Sequence, residues 1–325
     1  MDWIICHKSA LEFWRRARAM DALSGKKPKG LKPPAEPHDT KELLRKTLRN
    51  FSTPLHVLVG KGNARKLCRN IRCHVSSGEF PNGSFVRIGS GLVVSSPELC
   101  FLQVAGESSF VDTVALGYEL CGSYRLDREN GTGQGFRNDL PLTSVAGLSS
   151  YAVRAAGLKG RTKALKALRF ISDGSASPME TVLAILLTLP YRFGGYGLPG
   201  PRLNYRIDVP INTGKVKGKS TYYCDLYWPD EQVAVEYDSD EYHTGSDRIA
   251  KDAVRRNALT GAGVTVFTVS RRQIIGTPRF RELAQALSKL LGKRIRHPYT
   301  VVEFNRRHSK LLNQLLHGTK MEPEG

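Results

Sequence analysis

The run from Tyr222 to Val269 constrains this chain most. Tyr222–Trp228 is rich in aromatic and β-favouring residues, and Pro229-Asp230 reads as a turn. Val233, Val235 and Tyr237 then alternate at strand spacing. Two short strands joined by a brief turn make a hairpin. Ser246–Thr260 carries helical spacing, with Ser246 or Asp247 as its cap and Gly261 and Gly263 as its stop. Val264–Val269 is a third strand, either alternating or buried throughout. This succession predicts an α/β fold assembled around the hairpin.

The same run is an acidic island. Asp225 through Asp252 holds nine carboxylates and two basic side chains, Arg248 and Lys251, in a chain with 49 Lys+Arg against 30 Asp+Glu. That layout is expected of a metal-dependent enzyme acting on a polyanion. The hairpin lets Asp225 and Glu236 sit side by side. Facing carboxylates repel until one takes a proton, and a hard divalent cation such as Mg²⁺ removes the conflict through oxygen ligation. The plainer alternatives are surface carboxylates at Asp225 and Glu236, a turn residue at Asp238 and a locally bonded His243. Arg255 and Arg256 would then simply pair with Asp252.

Asp225-x-x-Trp228-Pro229, Val233-x-Val235-Glu236-x-Asp238, a nearby His243, Asp252-x-x-Arg255-Arg256-x-x-Leu259 and Gly261-x-x-Val264 occur in that order. This pattern resembles the PD-(D/E)XK nuclease superfamily over about residues 172 to 275, and within it the very-short-patch-repair-like endonuclease branch. The resemblance implies a C-terminal restriction-endonuclease-like α/β/α core with a mixed sheet, preceded by a smaller α/β module. It implies Mg²⁺ or Mn²⁺ as cofactor, DNA as substrate and phosphodiester hydrolysis as the reaction. Carried over, Asp225 and Glu236 are metal-binding acids, with Glu180 on the preceding helix as a third. Asp238 stands where the common pattern has Lys, as it often does in this branch, and His243 follows. That departure leaves His243, Lys251 or metal-activated water to serve as base. A nuclease fold that has lost its chemistry and serves as a DNA-binding regulator or toxin–antitoxin component is the alternative.

Glu180 has a second explanation. Ser177-Pro178-Met179-Glu180 opens a helix through Thr188, and Ser followed three residues later by Glu is a capping box. Leu203–Val209 reads as the first core strand, after a Gly/Pro-rich loop from Pro190 to Pro201.

Residues 1–50 are expected to hold helices and a linker, with Ser9 capping a helix to Met20 and a basic helix over Thr40–Leu48. Residues 51–147 are expected to form the small α/β module and a linker. Strands at His56–Val59, Arg72–Val75, Phe85–Ile88 and Leu92–Val94 precede helices at Ser96–Val104 and Phe110–Leu120. Strands followed by Ser96-Pro97-Glu98 and a helix are similar to the middle region of AbiEi-type abortive-infection proteins, which implies phage defence or a toxin–antitoxin setting in bacteria. Gly131-Thr132-Gly133-Gln134-Gly135 lacks the Lys-Ser/Thr ending of a phosphate loop. The nuclease domain is expected over 148–295, and a basic helix and tail over 296–325.

Ser150–Phe170 has six basic residues and no acid. Lys163 and Lys166 there, with Lys251, Arg255 and Arg256, are candidate phosphate contacts, the alternative being a solvated helix face. The net charge of +19 favours an acidic partner, DNA first, with a partner protein or a second copy of the chain also compatible. No apolar run reaches membrane-spanning length and no secretory signal is seen, so a cytoplasmic location without membrane contact is expected. Cys68 and Cys73 with His74 lack a second ligand pair at zinc spacing, so the six cysteines are read as free thiols.

Overall fold

The computed structural model describes residues 2–319 apart from 18, 20, 22–23, 35–42, 44–50, 61–69, 77, 127–134, 213–216, 239–245 and 296–299. For 211–212, 217, 246–252 and 318–319 it describes the backbone alone. The chain forms two compact units, Met1–Ile171 and Ser172–Gly325.

The first unit is built on a five-stranded sheet in the order β3-β2-β1-β5-β4. Its strands are β1 (Trp3–Ile5), β2 (Leu55–Val59), β3 (Ile71–Val75), β4 (Phe85–Gly89) and β5 (Leu92–Ser95). The expected strands are all present. Unexpected is β1, three residues too short to show a period, which occupies the centre of the sheet. It pairs antiparallel with β2 and parallel with β5, and Ile4 and Ile5 are fully buried. The N-terminal segment is therefore part of the module's core.

Helix α1 (His7–Arg16) starts two residues before the expected cap, with Cys6 at the N-cap. Ser9 does not cap it. Its hydroxyl instead accepts the His56 N–H at 3.0 Å, a tertiary contact that local spacing cannot show. The basic helix expected at Thr40–Leu48 lies, but for buried Leu43, outside the described residues.

Helices α2 (Pro97–Ala105) and α3 (Phe110–Cys121) fall where expected, and Ser96 and Ser109 cap them through the N–H groups of Leu99 and Asp112. At the ends of the expected linker, β6 (Tyr124–Leu126) pairs antiparallel with β7 (Phe136–Asn138).

The boundary expected at residue 148 moves to 171/172. Helices α4 (Val145–Arg154) and α5 (Arg161–Ala167) pack on α2 and α3. Tyr151 Oη lies 2.7 Å from Ser84 Oγ. Gly160, with φ 90°, lets its backbone press on α2, where a Cβ would stand 2.0 Å from the Leu102 carbonyl oxygen.

The second unit runs α6 (Pro178–Thr188), β8 (Arg202–Asn212), β9 (Lys217–Trp228), β10 (Val233–Asp238), α7 (Ser246–Gly261), β11 (Thr265–Ser270), α8 (Arg271–Ile275), α9 (Thr277–Leu290) and α10 (Val301–Thr319). The sheet order is β11-β10-β9-β8. The pairs β8–β9 and β9–β10 are antiparallel, and β10–β11 is parallel with α7 as the crossover. This is a mixed α/β sheet. Every residue of α6 is buried, as expected of a helix apolar on all sides. The C-terminal helix is no separate tail. α10 packs on α6, and its His308 Nδ1 lies 2.8 Å from the Gly194 carbonyl oxygen.

Candidate active site

The site grows from the end of the β9–β10 ladder. Val233 pairs with Trp228, Ala234 with Tyr227 and Val235 with Leu226, so the next step of the same register sets Glu236 against Asp225. The backbone ladder stops there. The Asp225 carboxylate takes its place, accepting the Tyr237 N–H at 2.8 Å and satisfying a donor that the sheet leaves over. On the other side of β9, Leu203 pairs with Leu226 and Tyr205 with Cys224, which sets Asn204 level with Asp225.

Asn204 is a residue that sequence reasoning missed. Its φ is 45°, a left-handed conformation that Asn tolerates better than most residues. Its Nδ2 donates to the Gly174 carbonyl and to Glu180 Oε2, each at 2.8 Å. Asn204 falls in the polar phase of an alternating strand, with Arg206 and Asp208, so no local signal set it apart.

Glu180 projects from the first turn of buried α6 and is itself 7 % exposed. Ser177 Oγ accepts the Glu180 N–H at 3.2 Å, as a cap should. The return contact differs from a capping box: Glu180 Oε2 accepts from the Ala176 N–H at 2.8 Å and from Asn204. Burial, and then the nearby Asp225 charge, push Glu180 up to about 7, against which its hydrogen bonds act. Burial also raises Asp225, offset by the Tyr237 N–H and the Arg255 charge.

Glu236 is held differently. Arg255 Nη2, from α7, lies 2.8 Å from Glu236 Oε1 and also donates to the Tyr223 carbonyl. Arg255 therefore pairs with the hairpin acid, and Arg256 donates to Thr268 Oγ1 at 3.3 Å. Asp238 ends β10 and is exposed. His243 lies outside the described residues, and Lys251 is placed on α7 by its backbone alone.

Glu180 and Asp225 are thus brought within electrostatic reach, while Glu236 is engaged by a cation. Among the described residues these three acids do not set their oxygens within 4.8 Å of one another as a group. The Glu180–Asp225 pair fits a hard cation: Glu180 is buried, Asp225 half-buried, and burial destabilises both as anions. Lys163 and Lys166 belong to the first unit, not to the unit carrying these acids. Lys163 Nζ donates to the Ser108 carbonyl at 2.5 Å, and Lys166 is exposed.

No helix among the described residues is long and apolar enough to cross a membrane. No family model matches the chain, and no solved structure matches it. It is similar to two uncharacterized proteins of Mycobacterium tuberculosis, MT2308 of strain CDC 1551 and Rv2248 of strain H37Rv. Each is 29 % identical over 113 residues, 35 % of this chain and 37 % of the relative. The matched segment thus covers little more than a third of those relatives' length.

Proposed function

We propose that the second unit is a restriction-endonuclease-like, divalent-metal-dependent endonuclease that hydrolyses DNA phosphodiester bonds. The observation that carries this reading is the buried carboxylate of Glu180 on α6, raised by burial and by the charge of half-buried Asp225 on the hairpin. The succession helix, three antiparallel strands, crossover helix, parallel strand supports it further, because that order lets α6 and β9 present their acids together.

Glu180 and Asp225 would hold Mg²⁺ or Mn²⁺, with Glu236 joining once Arg255 turns from it. When bound, such a cation supplies Lewis-acid stabilisation of the charge that develops on the phosphate. Asn204 orients the Glu180 carboxylate, and the Tyr237 N–H orients that of Asp225. Arg255, released from Glu236, offers a phosphate a planar donor fork. A role in mobile-element defence or DNA repair is part of this proposal.

One observation favours a second reading. The Arg255–Glu236 pair already neutralises the acid, so a lapsed nuclease serving as a DNA-binding regulator or toxin–antitoxin component would need no metal.

Nicking of supercoiled plasmid separates the two. Wild type is compared with Asp225→Asn and Glu236→Gln in Mg²⁺, Mn²⁺ or EDTA, with circular dichroism as the folding control. The nuclease reading expects metal-dependent nicking lost in both variants. Salt-sensitive DNA binding without nicking of duplex, single strand or RNA supports the regulator. Equal nicking by all three proteins sinks the assignment of these residues.

A further inference from the structure

The first unit carries a cluster that the nuclease reading does not use. At the junction of β1 and α1, Cys6 and His7 meet His74 of β3, and one ligating atom from each lies within 4.8 Å of the other two. Among the described residues, no other three His, Cys, Asp or Glu side chains do so. We propose that Cys6, His7 and His74 form a binding site for a borderline-soft divalent cation, zinc foremost, independent of the acidic site in the second unit.

The donor set carries the choice of ion. A thiolate with imidazoles suits zinc, whereas carboxylates and carbonyls suit magnesium. Donors bound to one zinc ion at about 2.0 to 2.3 Å stand roughly 3.5 Å apart, so a closure on the scale of a rotamer adjustment completes the site.

His7 is the most telling member. Its ring Nδ1 is buried and has no hydrogen-bond partner, and an orphaned buried nitrogen calls for an explanation. Its φ is 49°, outside the range preferred by a non-glycine residue. Two contacts hold that backbone in place: the His7 N–H donates to Gln103 Oε1 at 3.0 Å, and Cys100 Sγ donates to the His7 carbonyl at 3.6 Å. Strain of this kind persists where surrounding structure over-determines it, as at ligand clamps.

His74 has the support that metal-bound imidazoles usually have. Its Nδ1 lies 3.5 Å from Glu107 Oε1. Its Nε2 lies 2.8 Å from His56 Nδ1, two ring nitrogens sharing one proton position. Glu107 thus keeps Nδ1 while Nε2 exchanges His56 for the ion. The three-ligand set leaves a fourth position for solvent or His56. Cys6 is fully buried and His7 nearly so, which shields the site.

The competing account is a packed stack of neutral rings, since the His7 and His74 centroids are 3.6 Å apart with planes at 15°. Zinc binding to the full chain decides between them. The protein is stripped with a chelator, titrated with Zn²⁺ against a chromophoric competitor, and studied by X-ray absorption at the zinc edge. Variants are Cys6→Ser and His74→Gln, with Cys121→Ser and Asp225→Asn as controls. The site predicts one tightly held zinc with a sulfur and at least two imidazole nitrogens around it. Affinity falls about tenfold or more in the two site variants and is unchanged in the controls. Absorption of the Co²⁺-loaded wild type, with its thiolate charge-transfer band, gives the same answer without any variant. Absence of tight binding, a zinc shell without sulfur, or loss in Asp225→Asn alone would overturn the proposal. Plasmid nicking plays no part in this test, so failure of the nuclease reading leaves it standing.

Discussion

The guanidinium of Arg255 and the carboxylate of Glu236 form an ion pair with Nη2 and Oε1 2.8 Å apart, at side-chain exposures of 33 % and 18 %. The same Nη2 donates to the Tyr223 carbonyl, tying α7 to the β9–β10 hairpin. Removing the cation takes from half-buried Glu236 the guanidinium that neutralises it. Arg255→Ala is expected to destabilise the protein by about 1–3 kcal/mol, the usual consequence of losing a charge-assisted hydrogen bond. Urea unfolding should show a lower midpoint with an unchanged slope. Arg255→Lys should recover only part of the loss, because an ammonium cannot reproduce the planar fork. An Arg255→Ala midpoint equal to wild type would show that the pair contributes nothing.

Glu180 gives a pH dependence of defined sign. In the unfolded chain it ionises near 4.5, whereas in the folded protein it stays protonated up to about 7. Between those values the folded state binds more protons, so stability falls as pH rises and the loss is complete above the folded value. A shift of that size corresponds to about 3 kcal/mol. Denaturation of cation-free protein at pH 5 and pH 8 should show this decline in wild type. Glu180→Gln should flatten it. Adding Mg²⁺ at pH 8 should restore stability in wild type and not in Glu180→Gln. A decline of the same size in both proteins would assign it to other groups.

At Gly194 the backbone runs close against α10. Its φ is 97°, and a Cβ there would stand 2.4 Å from the Arg307 carbonyl oxygen and 2.8 Å from the His308 nitrogen. Backbone cannot move aside as the end of a flexible side chain can. Gly194→Ala therefore combines positive-φ strain with a steric clash, and is expected to cost about 2–4 kcal/mol. Gly200→Ala, where a Cβ meets nothing within 4 Å, is the control and should lie within about 0.5 kcal/mol of wild type. Thermal unfolding of the two variants tests both statements.

Much of the architecture is legible because it rests on local periodicity. The strands at 222–228 and 233–237, the helix from Ser246 and the strand to Val269 follow from alternation, helical spacing and glycine stops. Ser177 acts as the expected cap because capping is a contact across three residues. The boundary at 171/172 was not legible. The glycines and polar residues around 126–147 look like a linker, yet α4 and α5 beyond them bury apolar faces on α2 and α3.

The candidate site divides along the same line. The hairpin register that opposes Asp225 and Glu236 could be read from alternation alone. The partners of those acids could not. Arg255 lies 19 residues from Glu236, and Asn204 lies 24 residues from Glu180. The approach of Cys6 and His7 to His74 needs β1 inserted beside β2, with β3 next to it.

By itself, the sequence determined the order and type of most elements and the basic charge with its acidic island. Those properties depend on interactions along the chain. Only the tertiary structure decided which acid is paired with a cation, which carboxylate is buried within reach of another's charge, and which histidine nitrogen is left without a partner. Pairing and burial are set by groups far apart in sequence, and no local pattern encodes their distance.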